Sequence, residues 1–125
     1  MVGFLFGEIM DKIKLVEWIN ELIRCDSLYK FYKSKYWAGN KHYEGLKNIV
    51  LKEQRKECQL CLQKKPKVVT KADTVHHVQF VRKHPGLALS KYYTYKGTQY
   101  RNLIAVCKEC HNKLHPEKSF AKKKI

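Results

Sequence analysis

The chain reads as an α+β protein, and three features of the sequence predict this. Residues 11–54 carry apolar side chains at helical spacing. Residues 67–78 and 103–106 are rich in β-branched and apolar residues over strand lengths. Two Cys-x-x-Cys pairs, Cys58/Cys61 and Cys107/Cys110, bracket the strand-rich part. Within 11–24, Leu15, Val16, Ile19, Leu22 and Ile23 fall on one helical face, with Asp11 as N-cap and Cys25-Asp26-Ser27 as the end. A second helix is expected over 28–37, carrying Tyr29, Phe31, Tyr32, Tyr36 and Trp37 and broken by Gly39-Asn40. A third, over 42–54, presents Tyr43, Leu46, Ile49, Val50 and Leu51 and leads into the first cysteine pair. Val68, Val69, Thr70, Thr74, Val75 and Val78 then suit one or two short strands. Residues 82–100 are basic and aromatic, turn at His84-Pro85-Gly86, and read as an exposed loop with extended segments. Leu103-Ile104-Ala105-Val106 is a short strand, which the second cysteine pair turns into a helix carrying His111 and His115.

A chain of 125 residues fits one domain with a small core, for which a metal staple is a natural supplement. The expected organisation is a helical region 1–56 packed on a core at 57–118, followed by a basic tail at 119–125. Against 26 Lys and Arg stand 11 Asp and Glu, a formal charge of +15 that would make the compact state repel itself without a polyanionic partner. Nucleic acid is the obvious one. No apolar run reaches the roughly 18 residues that span a bilayer, so a membrane is not expected as a partner. The opening Val2-Gly3-Phe4-Leu5-Phe6-Gly7 lacks a basic stretch before it and does not read as a signal peptide. An intracellular location follows as the expectation, and paired cysteines in a reducing compartment suit metal ligation better than disulfides. Cys25, outside both pairs, is expected to be a passive half-buried thiol.

Two Cys-x-x-Cys turns can supply four sulfurs to one tetrahedral Zn²⁺ with no open position, which makes the site structural. It would pin both ends of the segment containing His76, His77 and Asn102. His111 and His115, four apart on the expected helix, present imidazoles on one face within reach of a single metal. Adjacent His76 and His77 point to opposite sides of a strand and so have different jobs.

The order His76-His77, Asn102, then His111 and His115 interleaved with the cysteines resembles the HNH nuclease family, in the branch where a His-His pair replaces the more common Asp-His. The similarity covers about 58–115 and implies a ββα-metal fold that cuts nucleic acid. Carried onto this sequence, it implies that His76, His111 and His115 bind a catalytic divalent metal (Mg²⁺, Mn²⁺, Ni²⁺ or Zn²⁺) and that His77 is the general base. It further implies that Asn102 hydrogen-bonds and orients the His77 ring, that double-stranded DNA is nicked, and that products carry 5′-phosphate and 3′-hydroxyl ends. Phage members similar to this chain imply a link to a DNA-packaging motor protein and, for a phage-encoded chain, the host cytoplasm as location.

Arg82, Lys83, Lys91, Lys96 and Arg101 cluster near the expected site and are candidates for phosphate contacts. The tyrosines among them are expected to pack the loop, His42 and His84 to be surface residues, Asp73 to open a turn, and Trp18 and Trp37 to belong to the core. Two other readings compete: a noncatalytic zinc-finger DNA-binding module, and a packaging adaptor that uses its helices for docking. The first leaves the histidine and asparagine order as coincidence; the second keeps the nuclease core mainly as a docking surface for a motor protein.

Overall fold

The computed structural model of the protein describes residues 11–115. The apolar opening and the basic tail at 119–125 lie outside the described residues. Helix α1 (Lys12–Arg24) forms where the periodicity predicts it, with the Asp11 carboxylate accepting from the Lys14 N–H at 2.8 Å. It buries Leu15, Ile19 and Leu22 and ends at Cys25, followed by Asp26 in the left-handed region at φ 53°. Cys25 is exposed rather than half-buried, its thiol 3.1 Å from the Glu21 carboxylate, because it lies beyond the buried face of the helix.

The next two helices are shorter than their sequence patterns. Helix α2 (Tyr29–Lys33) stops at Ser34, whose hydroxyl donates to the Phe31 carbonyl at 2.7 Å while its own backbone turns extended. The Ser34 N–H donates to the same carbonyl at 3.0 Å, so both groups of Ser34 close the helix end. Helix α3 (Leu46–Glu53) begins four residues later than expected because Asn40 and Tyr43 pair across a tight turn. Gly39 sits there at φ 84°, and Gly45 is so close to the Trp37 carbonyl and the Gly39 nitrogen that a Cβ would collide with both. Only glycine permits that approach.

Residues 67–71 do not join a strand of their own. The Cys58 N–H donates to the Thr70 carbonyl at 2.8 Å and the Ala72 N–H to the Lys56 carbonyl at 2.8 Å, lacing this segment to the one entering the first cysteine turn, α4 (Gln59–Leu62). Strand β1 (Thr74–His77) follows and pairs antiparallel with β4 (Leu103–Val106), placing Val75 opposite Ala105 and His76 opposite Ile104. Helix α5 (Lys108–Leu114) completes a strand–strand–helix unit. Gln54 covers the backbone of β4, its amide donating to the Leu103 carbonyl at 3.2 Å and accepting from the Ala105 N–H at 2.7 Å.

Between β1 and β4 lie a 3₁₀ turn (Pro85–Leu87) and a separate hairpin, β2 (Tyr92–Tyr95) with β3 (Thr98–Arg101). The hairpin turn is Lys96-Gly97, both at positive φ (50° and 80°), the conformation that matches the twist of a two-residue hairpin loop. Lysine is an uncommon residue at the first position, which is why the loop reading of this stretch missed the hairpin.

A single buried cluster joins the helical half to the cysteine-rich half: Leu15, Ile19, Phe31, Trp37 and Val50 share it with Leu103, Ala105, Val106 and the four paired cysteines. Phe31, fully buried at the junction, contacts Trp18, Tyr32 and Trp37 in edge-on or tilted geometry. Truncating an aromatic so placed costs about 3–5 kcal/mol.

Candidate active site

Each cysteine turn is built the same way. Cys58 caps α4 and Cys107 caps α5, each sulfur accepting from the N–H of the cysteine three residues on, Cys61 and Cys110, at 3.5 Å. The four sulfurs are buried and lie within 4.8 Å of one another; Cys61 Sγ stands 3.9 Å from Cys107 Sγ and 3.7 Å from Cys110 Sγ. A disulfide needs about 2.05 Å. A tetrahedron with metal–sulfur bonds of about 2.3 Å has edges of about 3.8 Å, so the spacing fits a four-thiolate metal site. The thiols are also electrostatically unequal. Burial raises the Cys58 pKa, but N–H donors at Cys107, Cys61 and Leu60 and the Cys61 side chain outweigh it and bring the group down to about 7. Burial, together with the neighbouring thiols, pushes Cys110 up to about 12. A divalent cation is what would let all four lose their protons together.

The second cluster lies where β1 meets α5. His76 on β1 faces His111 and His115, with ring centroids 5.6 and 5.2 Å away and 4.7 Å between the latter two. One ring nitrogen from each lies within 4.8 Å of the others, a spacing at which three imidazoles can share one metal. His115 caps α5 rather than lying inside it, since the helix ends at Leu114. Burial holds the His76 pKa down at about 4, helped by repulsion from His115, His111 and His77, so the ring is neutral and its lone pair available. Phe80, 41% exposed, stacks on His115 at 5.4 Å and stands edge-on to His76.

His77 faces the other way, as strand alternation predicts. Its ring lies 4.6 Å from that of Trp37, with Phe31 and Tyr32 edge-on, and Nε2 is 2.9 Å from the Ala88 carbonyl. A carbonyl only accepts, so Nε2 carries the proton and Nδ1 holds the lone pair. Burial lowers the His77 pKa to about 4 against the opposing pull of Ala88, which keeps the ring neutral.

Asn102 does not orient His77 by a bond to its ring, contrary to the expectation from sequence. Its side-chain amide, fully buried, donates to the Leu87 carbonyl at 3.0 Å and the Ser90 carbonyl at 2.9 Å, and accepts from the Gln79 N–H at 2.9 Å. Those partners frame the loop whose Ala88 carbonyl meets the His77 ring. Sequence alone offered no signal for Ala88, whose backbone is the part used, nor for Trp37 as the ring wall.

The basic candidates divide. Arg82, Lys83 and Lys96 are exposed. Lys91 instead pairs with Glu53 at 2.6 Å. Arg101 lies 3.6 Å from the same carboxylate, donates to the Leu103 carbonyl and Tyr92 hydroxyl, and leaves Nη2 buried without a hydrogen-bond acceptor. These two hold the hairpin base to α3, a role that Glu53, 38 residues from Lys91, concealed from sequence reading. Asp73 accepts from the Thr74 hydroxyl and is exposed, as expected of a turn opener.

Imidazoles gathered across a strand–strand–helix unit, beside a thiolate node that fixes the ends of that unit, define a metal-binding nuclease core. Residues 58–117 match the family model described as HNH endonuclease, and the enzyme class this specifies is a nuclease. A crystal structure of a deep-sea thermophilic bacteriophage GVE2 HNH endonuclease with manganese ion superposes with a TM-score of 0.57, at 24% identity, covering 82% of this chain and 92% of that one. That likeness extends the shared fold into the helical half. No curated protein sequence matches the chain. Among the described residues, no helix is long and apolar enough to cross a membrane.

Proposed function

We propose that the protein is a divalent-metal-dependent endonuclease that hydrolyses phosphodiester bonds of double-stranded DNA one strand at a time. The observation that carries this reading is the division of the histidines across β1: three converge on one point, and the fourth is held as a single neutral tautomer by a backbone carbonyl. His76, His111 and His115 would hold the catalytic metal, and the four cysteines a structural Zn²⁺. When bound, the catalytic cation supplies Lewis-acid stabilisation of charge on the phosphate and the departing 3′ oxygen.

His77 is the general base in this reading. Ala88 fixes the proton on Nε2, so Nδ1 can accept one from a water molecule, and Asn102 keeps Ala88 in place. Neutral imidazoles at His76 and His77 mean that neither must first lose a proton at pH 7. The basic surface at Arg82 and Lys83 supports phosphate binding nearby. One such site per chain supports single-strand nicking, with the core at 57–118 performing chemistry and Phe31, Tyr32 and Trp37 of the helical region walling in His77. Three imidazoles suit Ni²⁺ or Zn²⁺ better than Mg²⁺ or Mn²⁺, which favour oxygen ligands; the manganese named for the similar phage enzyme supports Mn²⁺. The phage origin of that enzyme also supports a viral setting, where a packaging motor is a partner that co-purification would reveal.

The test is conversion of supercoiled plasmid to open circles by wild type and His77→Ala after EDTA treatment and re-addition of Mg²⁺, Mn²⁺, Ni²⁺ or Zn²⁺. Metal-restored nicking that the variant lacks supports both the activity and the base. Tight, salt-sensitive DNA binding without cleavage under any metal overturns the enzyme reading in favour of a binding module.

A further inference from the structure

Between Asp73 and Glu109 the sequence holds no carboxylate side chain, yet it carries Arg82, Lys83, Lys91, Lys96, Arg101 and Lys108. From the middle of this stretch projects the β2–β3 ribbon, whose residues are exposed except for Tyr93 and Arg101, which are half-buried. A two-stranded ribbon gains little stability alone, and Tyr92, Tyr95 and Tyr100 remain 44–57% exposed on it despite their contacts within the ribbon.

We propose that this ribbon is a duplex-DNA contact element that lies in the major groove with Tyr95 and Lys96 at its leading edge; the inference rests on the double-stranded DNA reading above. Its base is anchored by Lys91 and Arg101 to Glu53, by the Arg101 guanidinium over the Tyr92 ring at 4.9 Å, and by the Asn102 N–H donating to the Lys91 carbonyl at 2.7 Å. Asn102 is also the residue that holds the Ala88 loop, so the ribbon and the His77 environment share one mechanical base. Two strands about 4.8 Å apart with their side chains fill a groove of about 12 Å, the width of the major groove, and are too wide for the minor groove at about 6 Å.

The side chains fit the same partner. Thr94, Thr98, Gln99 and the tyrosine hydroxyls offer hydrogen bonds to base edges, and Lys96 offers a phosphate contact at the tip. Stacking on splayed bases is disfavoured because ring faces are already in use: Tyr93 stacks on Tyr100 at 5.5 Å, Lys96 lies over Tyr95 at 5.3 Å, and Arg101 over Tyr92. Duplex rather than single-stranded nucleic acid is therefore the partner.

The test compares wild type with the combined variant Tyr95→Ser, Lys96→Ser and Gln99→Ala, and with Lys96→Gln alone. Binding to a short labelled duplex and to one of its strands is followed by fluorescence anisotropy without added divalent metal, over a salt series; plasmid nicking by wild type is measured in parallel. The triple variant should bind duplex at least about ten-fold more weakly, and Lys96→Gln should reduce the slope of log affinity against log salt by about 1. Melting temperature should change little and zinc content not at all, since Tyr95, Lys96 and Gln99 are exposed. A major-groove ligand such as methyl green should compete with wild type, and netropsin should not. Unchanged duplex affinity and salt slope, an equal loss on the single strand, or competition by netropsin alone overturns the ribbon proposal while wild-type nicking leaves the nuclease reading standing. Failure of wild type to bind or cut duplex overturns both.

Discussion

Replacing Asn102 with alanine tests the longest chain of inference in the site. The side chain is fully buried and makes three hydrogen bonds, two to carbonyls of the 79–90 loop and one from the Gln79 N–H. The Leu87 carbonyl keeps a second donor, the Ser90 N–H at 3.1 Å, so its loss is the mildest. At about 1 kcal/mol net per bond, with a further increment for the orphaned Gln79 N–H, the variant should lose about 3–4 kcal/mol. A domain of this size typically has about 5–15 kcal/mol, so the protein should remain folded at 25 °C. Cleavage should suffer separately, by roughly 10–100-fold, because the released loop no longer fixes Ala88 and through it the His77 tautomer. Urea unfolding by circular dichroism gives the first quantity, and plasmid nicking with added metal at 25 °C gives the second. A loss of stability under about 1 kcal/mol would refute the hydrogen-bond accounting. A wild-type nicking rate in a folded but destabilised Asn102→Ala protein would refute the linkage from Asn102 through Ala88 to His77.

Three further outcomes are expected. Wild type should carry one zinc per chain by elemental analysis, and Cys61→Ser should lose both that zinc and cooperative thermal unfolding, since structural zinc contributes about 10–16 kcal/mol in small zinc domains. His115→Ala should retain zinc and a cooperative melt but lose metal-restored nicking; full activity would remove His115 from the catalytic cluster. Burial lowers the folded-state pKa of His77 from 6.5 to about 4, so the unfolded chain binds more protons between those values. The resulting stability is fully present above about pH 6.5 and is lost as pH falls towards 4. His77→Gln should therefore show a shallower decline of urea midpoint over that window, and an identical slope would refute the burial argument.

The two clusters of candidate metal ligands were legible in the sequence because they depend on residue type at short spacing. Cys58/Cys61 and Cys107/Cys110 form capped turns wherever they occur, since the N–H of the second cysteine meets the sulfur of the first. Strand alternation alone separated His76 from His77, and the apolar period of α1 sufficed for its bounds. Helix lengths were less legible: Ser34 and the Gly39–Gly45 approach ended or delayed helices through contacts that apolar spacing does not encode.

Tertiary structure alone decided what surrounds those residues. It set Ala88 against His77, with Asn102 two steps away, because backbone carbonyls carry no residue signature. It turned Lys91 and Arg101 from candidate phosphate ligands into anchors by bringing Glu53 from α3 beside them. It raised a hairpin from a stretch whose composition suggested a loop, because Lys96 adopts a conformation that propensity disfavours. The sequence by itself determined which atoms are available for ligation and proton transfer; the fold determined which of them meet, since charge neutralisation and tautomer choice depend on neighbours remote in the chain.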